Sequence, residues 1–403
     1  MTLFDLFDSF LPPGKPEWAG LLRYTAGLHA HSTHPAQPPF PHDWEEIGTG
    51  YCYGPAFGHW DIIHQMMDVM VDEPGHARNQ LSNNLENMTE DGFLPGSIWF
   101  SKESPDAYRW NENVTHPPVW PVAVDALLEQ QADLKLLKMC HEKLVRQIGW
   151  FETHRKAEGV GYFYTDISDK SWESGVDEGI RFDHVPTGNW ACVDATSHVY
   201  LLYETAAKWG NTLKLETDTF EEKAEELSSF VRTSLWSEET GFFHDIWAIR
   251  DPQYRYAAQE GMWPVVVGIA SKDQAEKVID GYLLNPEQFF TAHPLATVGK
   301  SDPRFEQRMW RGPAWNSMTW WAARGCLHYN RPDAAMKLLE QALDASAIQY
   351  ERTGCIWEYY HSELGDQEEV ARKPHTEFNT PCRDYLGHNP LIAMARMWEA
   401  CAE

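Results

Sequence analysis

Apolar residues recur at helical spacing along almost the whole chain, and no run alternates long enough to build a major sheet. Residues 134–155 show the pattern. Leu134, Leu136, Leu137, Cys140, Leu144, Ile148 and Phe151 fall near i, i+3, i+4 intervals and form one apolar stripe. The same reading predicts helices over 60–73, 76–88, 119–131, 193–209, 217–234, 262–271, 273–284, 314–329, 332–349 and 388–401. Gly210 with Asn211 is expected to end the 193–209 helix, and Pro332 with Asp333 to open the one at 332–349. Short extended pieces are expected at 161–166 and 241–246.

A Gly followed by bulky residues returns after helices, as Gly92-Phe93-Leu94, Gly161-Tyr162-Phe163, Gly241-Phe242-Phe243 and Gly354-Cys355-Ile356. The Gly supplies the turn and the bulky residues plug back into the core. Helix pairs repeating in this way predict an all-α fold, a toroid of helical hairpins. About twelve helices close an (α/α)6 barrel with its loops gathered at one end. No Ser/Gly-rich or low-complexity run interrupts the sequence. The expectation is therefore a single catalytic domain over 1–403, with 1–45 as an N-terminal arm or rim loop that includes the Pro- and His-rich segment 29–43.

Composition narrows the function. A net charge of −27 repels nucleic acid, anionic membranes and polyanionic substrates, so the expected partner is a small-molecule substrate. No stretch approaches the roughly 20 apolar residues of a membrane span. The N-terminal residues carry acids and no basic region of the kind that starts a signal peptide. The seven cysteines are scattered, with no CxxC pair, which suits the cytoplasm. There is no GxGxxG, P-loop, GxSxG or HExxH, so neither cofactor nor metal is expected. Nineteen tryptophans are the outlying number. Most belong in a core, but Trp44, Trp99, Trp110, Trp172, Trp190, Trp310 and Trp357 sit beside Gly, Pro or charged residues. Indole faces in polar loops are what the flat C–H faces of sugars stack on.

Five segments could carry chemistry. Ser171 to Asp183 packs four acids, Arg181 and Trp172 around two glycines, and crowded carboxylates raise one another's pKa toward general-acid duty. In Arg308 to Trp321, Arg311 precedes a helix start, where the dipole does not favour a cation, so it is expected to pair with a carboxylate or a ligand. In Gly354 to Gly365, Glu358 stands among three aromatics, as either hydrogen-bonded structure or a tuned base. Glu377 is a competitor of the same kind. Asp61, beside Trp60 at a helix start, reads as a cap or as a grip on sugar hydroxyls. His116 precedes Pro117-Pro118 just before another helix.

At these segments, in order from about residue 50 to 395, the chain resembles glycoside hydrolase family 63 and its bacterial relatives that act on glucosylglycerate and mannosylglycerate; the trehalase family shares the layout. The resemblance implies that the Trp172-Glu173-Ser174-Gly175-Val176-Asp177 loop carries the general acid, Asp177, followed by Arg181-Phe182. It implies that Trp310-Arg311-Gly312-Pro313-Ala314-Trp315 lines the sugar subsite and that Trp60-Asp61 contacts the sugar. Glu358-Tyr359-Tyr360, ending at Gly365, would carry the general base. Family members invert and need no metal. The chain departs from the family pattern at His116 (usually Gln), at Glu178-Gly179-Ile180, at Met309 (usually aromatic) and at Gly387-His388-Asn389-Pro390. Implied is an inverting α-glycosidase for a small glucoside or mannoside. A sugar 2-epimerase that uses His residues, and a sugar-binding barrel without activity, are the alternatives.

Overall fold

The structure, a computed structural model, describes residues 10–101, 107–169 and 171–402. Among these residues, twelve helices carry the barrel. They are α1 Ala19–His31, α2 Asp61–Val69, α3 Pro74–Glu86, α4 Trp120–Gln130, α5 Leu134–His154, α6 Val193–Leu213, α7 Asp218–Ser234, α8 Trp263–Val266, α9 Lys272–Val278, α10 Asn316–His328, α11 Pro332–Thr353 and α12 Leu391–Ala402.

Even-numbered helices form the inner ring. Helix α2 contacts α4 and α12, and α8 contacts α6 and α10. Trp209 Nε1 of α6 bonds Asp125 of α4 at 2.8 Å, and Asn316 at the start of α10 bonds Asn389 just ahead of α12 at 2.9 Å, which closes the circle. Sequence dictates which helices go inside. Helix α2 buries all its residues but Met67, and α8 is Trp-Pro-Val-Val, wholly buried. Helix α7 buries only Ala224, Leu227, Ser228 and Val231, one stripe against α6 with a charged face outward. One continuous hydrophobic core runs from Phe10 to Ala395.

The Gly-bulky repeat has a structural meaning. Gly92, Gly161, Gly241 and Gly354 all have positive φ, between 64° and 104°, and each follows an outer helix (α3, α5, α7 and α11) where the chain turns back toward the next inner one. The extended piece at 241–246 is Phe242–Phe243 paired with Trp236–Ser237, and that at 161–166 is a single bridge from Tyr162 to Lys156. A further small sheet, β3-β4-β5, joins Ala56–Gly58, Ser97–Phe100 and Tyr108–Trp110, with Trp99 opposite Arg109; Thr33–His34 (β1) and Trp44–Glu45 (β2) pair ahead of it.

Several expectations need correction. Residues 1–45 are not merely an arm: α1 lies within them and packs on α11 and α12. Its anchor is a buried ion cluster, in which His29 bonds Glu45 at 2.6 Å and Asp68 at 3.2 Å, and His76 bonds Glu45 at 2.8 Å. The segment 29–43 does not reach the barrel cavity described below. Gly210 and Asn211 do not end α6. The helix runs on to Leu213 and reverses through Lys214 at φ 59°, while Gly210 lacks a side chain because a β-carbon there would lie 2.6 Å from Thr217. The helix expected over 262–271 stops at Val266, ahead of Gly268 at φ 79°.

The motif segments precede the inner helices α2, α4, α6, α10 and α12 in the chain, and residues from them, far apart in sequence, meet in one place.

Candidate active site

That place is a cavity of about 540 Å³, lined from Ile47 to His388. Asp177 and Glu358 both face it. Asp177 sits on a tight loop held by Gly175, whose φ is 74°; a β-carbon on Gly175 would lie 2.0 Å from the Trp60 ring, so only glycine lets the loop cross that indole. The Asp177 carboxylate, about a quarter exposed, accepts a bond from Lys373 Nζ at 2.9 Å. Burial works to lower the Lys373 pKa, but Asp177 outweighs it and the ammonium is held above its ordinary value. Glu358 is buried. Arg372 Nε and Nη2 donate to its two oxygens at 2.9 and 3.1 Å, and the Cys382 N–H donates at 3.0 Å.

Three indoles form one wall. Trp310 and Trp315 stack at 3.7 Å with planes 9° apart, and Trp60 lies parallel to Trp310 at 6.1 Å. His388 stands edge-on to this wall, 4.6 Å from Trp315, and bonds Ser317 Oγ at 2.7 Å. Burial holds its imidazole well below the usual range. Asp61 accepts from Tyr385 Oη at 2.7 Å; burial pushes its carboxyl up to about 6 despite that bond. His116 packs edge-on against Trp172 at 5.0 Å and is held down to about 3 by burial. The β3-β5 sheet supplies Ser97, Trp99, Arg109 and Trp110 to the rim.

Of the residues singled out in the sequence, Asp177, Glu358, Trp60, Asp61, His116, Trp172, Gly175, Trp310 and Trp315 line this cavity, as do Trp99, Trp110, Met309 and His388. The remaining candidate site residues do not. Glu173 is fully buried and tied to Arg155 at 2.8 Å and to the Thr115 and Thr165 N–H groups, where it fixes the acid loop from behind. Arg181 is buried among Asp194, Asp245 and Glu260. Arg311 pairs with the carboxylate of Asp183 at 2.6 Å, and Gly312 donates its N–H to Thr297. Tyr359 lies behind Trp315, ring centroids 4.7 Å apart, and Glu377 is exposed outside the cavity. Arg372, Lys373 and Tyr385 are cavity residues that the sequence does not single out, whereas His388 falls in one of the segments that depart from the family pattern. The paired Arg372-Lys373, rare in so acidic a chain, was the available signal. Cys192, Asp194 and Asp245 are close enough to share an ion, but the Arg181 guanidinium binds both acids and the group lies outside the cavity.

A helical barrel whose open end holds stacked indoles and two separate acids is the architecture of a carbohydrate-processing enzyme. The chain belongs to the mannosylglycerate hydrolase MGH1-like glycoside hydrolase family, whose sequence profile matches residues 55–379, and it is a glycoside hydrolase. This membership sets aside the epimerase. The chain is similar in fold to the GH63 mannosylglycerate hydrolase from Thermus thermophilus in complex with Tris and D-glycerate, with a TM-score of 0.71 and 17% identity over 94% of this chain and all of that one. It is also similar to the neutral trehalase of Saccharomyces cerevisiae, with a TM-score of 0.63 and 15% identity, covering 92% of this chain and 78% of that one. In sequence it is 26% identical over 128 residues to the cytosolic neutral trehalase of Kluyveromyces lactis, a stretch spanning 29% of this chain and 17% of that protein. No helix of the described residues is long and apolar enough to cross a membrane.

Proposed function

We propose that this glycoside hydrolase is a cytoplasmic inverting α-glycosidase. Its substrate would be a small α-linked glucoside or mannoside, a disaccharide or a glycosyl-glycerate, with Asp177 as general acid and Glu358 as general base. The observation that carries the reading is that these two carboxyls, from distant motifs, face one cavity while the competing Glu377 lies outside it. Inversion needs two carboxyls about 6.5–9.5 Å apart, with room for a water between sugar and base. Asp177 protonates the glycosidic oxygen as the bond breaks. Glu358, its orientation fixed by Arg372 and the Cys382 N–H, takes a proton from water attacking the opposite face. Trp60, Trp310 and Trp315 stack on the sugar, and Asp61 with Tyr385 grips its hydroxyls. Lys373, bonded to the acid, and Arg109, on the cavity wall, are cations to which the carboxylate of a glycerate would bind. That favours the glycosyl-glycerate over the neutral disaccharide.

The test separates acid from base. A base variant loses the activated water, yet its acid still works, and a small anion can attack from the vacated face. Glu358→Ala and Glu377→Ala are each assayed with an activated glycosyl fluoride, with and without azide. Rescue of Glu358→Ala, giving a glycosyl azide of inverted configuration, is expected. Rescue of Glu377→Ala alone, with Glu358→Ala near wild type, makes Glu358 a structural residue.

A further inference from the structure

Two cysteines with no part in this reaction lie directly behind the base. Cys52 is half-buried and Cys382 buried. Both belong to a small apolar cluster with Ile47, Ala56 and Tyr385, and each thiol is the strongest influence on the ionisation of the other. The two chain segments also touch backbone to backbone. A β-carbon on Gly48 or Gly50 would lie 2.3 Å from the Asp384 carbonyl oxygen or 1.9 Å from that of Arg383. The Leu386 and Gly387 N–H groups donate to the Ile47 carbonyl at 2.8 and 3.0 Å. Thiols of one cluster, carried on backbones in contact, are placed for a bond between them if the loop shifts. Cys140, Cys192, Cys326 and Cys355 are all buried, so Cys52 differs from them in being partly open to solvent beside a second thiol.

The surroundings favour reaction at Cys52. Cys382, and after it Arg372 and Lys373, lower the Cys52 thiol pKa, while burial and Glu358 raise it. Cys52 is the more exposed of the two and is the thiol a dissolved oxidant reaches, and a neighbouring thiol resolves its oxidised form.

The pair is joined to the catalytic groups at both ends. Cys382 donates its N–H to Glu358 Oε2 at 3.0 Å and accepts the Glu358 N–H at 2.8 Å. Cys52 lies between Tyr51 and Tyr53, which line the cavity. We infer that Cys52 and Cys382 form a peroxide-sensitive pair whose disulfide draws the Tyr51–Tyr53 loop toward the base-bearing segment and switches hydrolysis off. Sulfur of Cys52 attacks the peroxide O–O bond and takes one oxygen, and the other leaves as water. The Cys382 sulfur then attacks the sulfenic sulfur and expels the second oxygen, again as water. The two thiols lose two hydrogens and two electrons in all, and one hydrogen peroxide becomes two waters.

The effect on turnover rests on Glu358 acting as the base; formation of the disulfide does not. The full chain is titrated with hydrogen peroxide, its thiols are mapped by differential alkylation and peptide mass spectrometry, and hydrolysis is measured before and after dithiothreitol. A Cys52–Cys382-linked peptide is expected, with a loss of turnover on the order of a hundredfold, the size that about 1 Å of misplacement brings, reversed by the reductant. Cys52→Ser is expected to form no link and to keep its activity in peroxide. Oxidation of Cys52 to the sulfinic acid without a link overturns the pair, and a link that leaves turnover unchanged overturns the switch. A link in a chain that hydrolyses no glycoside upholds the pair and removes the reading of Glu358 instead.

Discussion

Arginine meets carboxylate in two very different ways in this barrel. At the cavity wall, Arg372 holds the single carboxylate of Glu358 by two bonds, and that carboxylate still faces the cavity. Beneath the acid loop, Arg181 is sealed among Asp194, Asp245 and Glu260, three acids to one cation, with Tyr256 Oη also bonded to Asp245. The first arrangement fixes the direction of a group that must react. The second welds three elements together, and burial, with the surplus of acids behind it, pushes two of them toward the neutral form: Asp245 is raised, and Glu260 is raised to about 7, even with Arg181 beside them. A carboxylate near an arginine is therefore no sign of function by itself. What separates the two sites is whether the carboxylate has a face on the cavity.

That contrast can be broken at either site. The largest effect is expected from Arg181→Met, which strands buried acids without their cation and should cost about 3–5 kcal/mol of stability, read as a fall in thermal midpoint. Asp177→Asn should do the reverse, leaving the midpoint near wild type while lowering turnover about 10²–10⁴-fold. Gly175→Ala lies between them. Its new methyl meets Trp60 in a left-handed backbone, at a cost of about 1–3 kcal/mol, and turnover should fall along with stability because acid loop and indole wall shift together. The smallest effect is one of pH. Glu260 is raised in the folded chain, so its contribution to stability is present below the ordinary glutamate value and lost as pH rises through about 7. Thermal midpoints of the wild type should fall between about pH 5 and pH 8 more steeply than those of Glu260→Gln. Equal slopes would show that Arg181 keeps all three acids ionised.

Helical periodicity made most of the ring legible in advance, since an inner helix is apolar nearly all round and an outer one along a stripe. Helix α5 was expected over 134–155 and is found at Leu134–His154. What periodicity misjudges is where a glycine is needed for packing and not for a turn, as at Gly210, and short helices such as α8 that are apolar throughout. Helix α1 was missed because its polar side carries His29, which the buried cluster with Glu45 and Asp68 explains only in three dimensions. At the site, motif order pointed to Asp177 and Glu358. It placed the acid at Asp177, but it could not show that Glu173, four residues earlier in the same loop, faces away from the cavity, because the partner that holds Glu173 is the distant Arg155. Arg372 and Lys373 escaped notice for the same reason: their meaning lies in the carboxylates they meet.

Helices α2 and α10 start at or next to residues that line the cavity, Asp61 and Trp315, and a helix start carries a partial positive charge of about half a unit. On a chain of net charge −27, these starts are a local exception to the field around them. A glycosyl-glycerate, if that is the substrate, would be repelled by the surface and would then meet the helix starts and Arg109 inside the cavity. Its capture would be a barrier followed by a well. Dissolved salt flattens the long-range barrier, so on the glycosyl-glycerate reading the acidic surface would oppose an anionic substrate less as ionic strength rises.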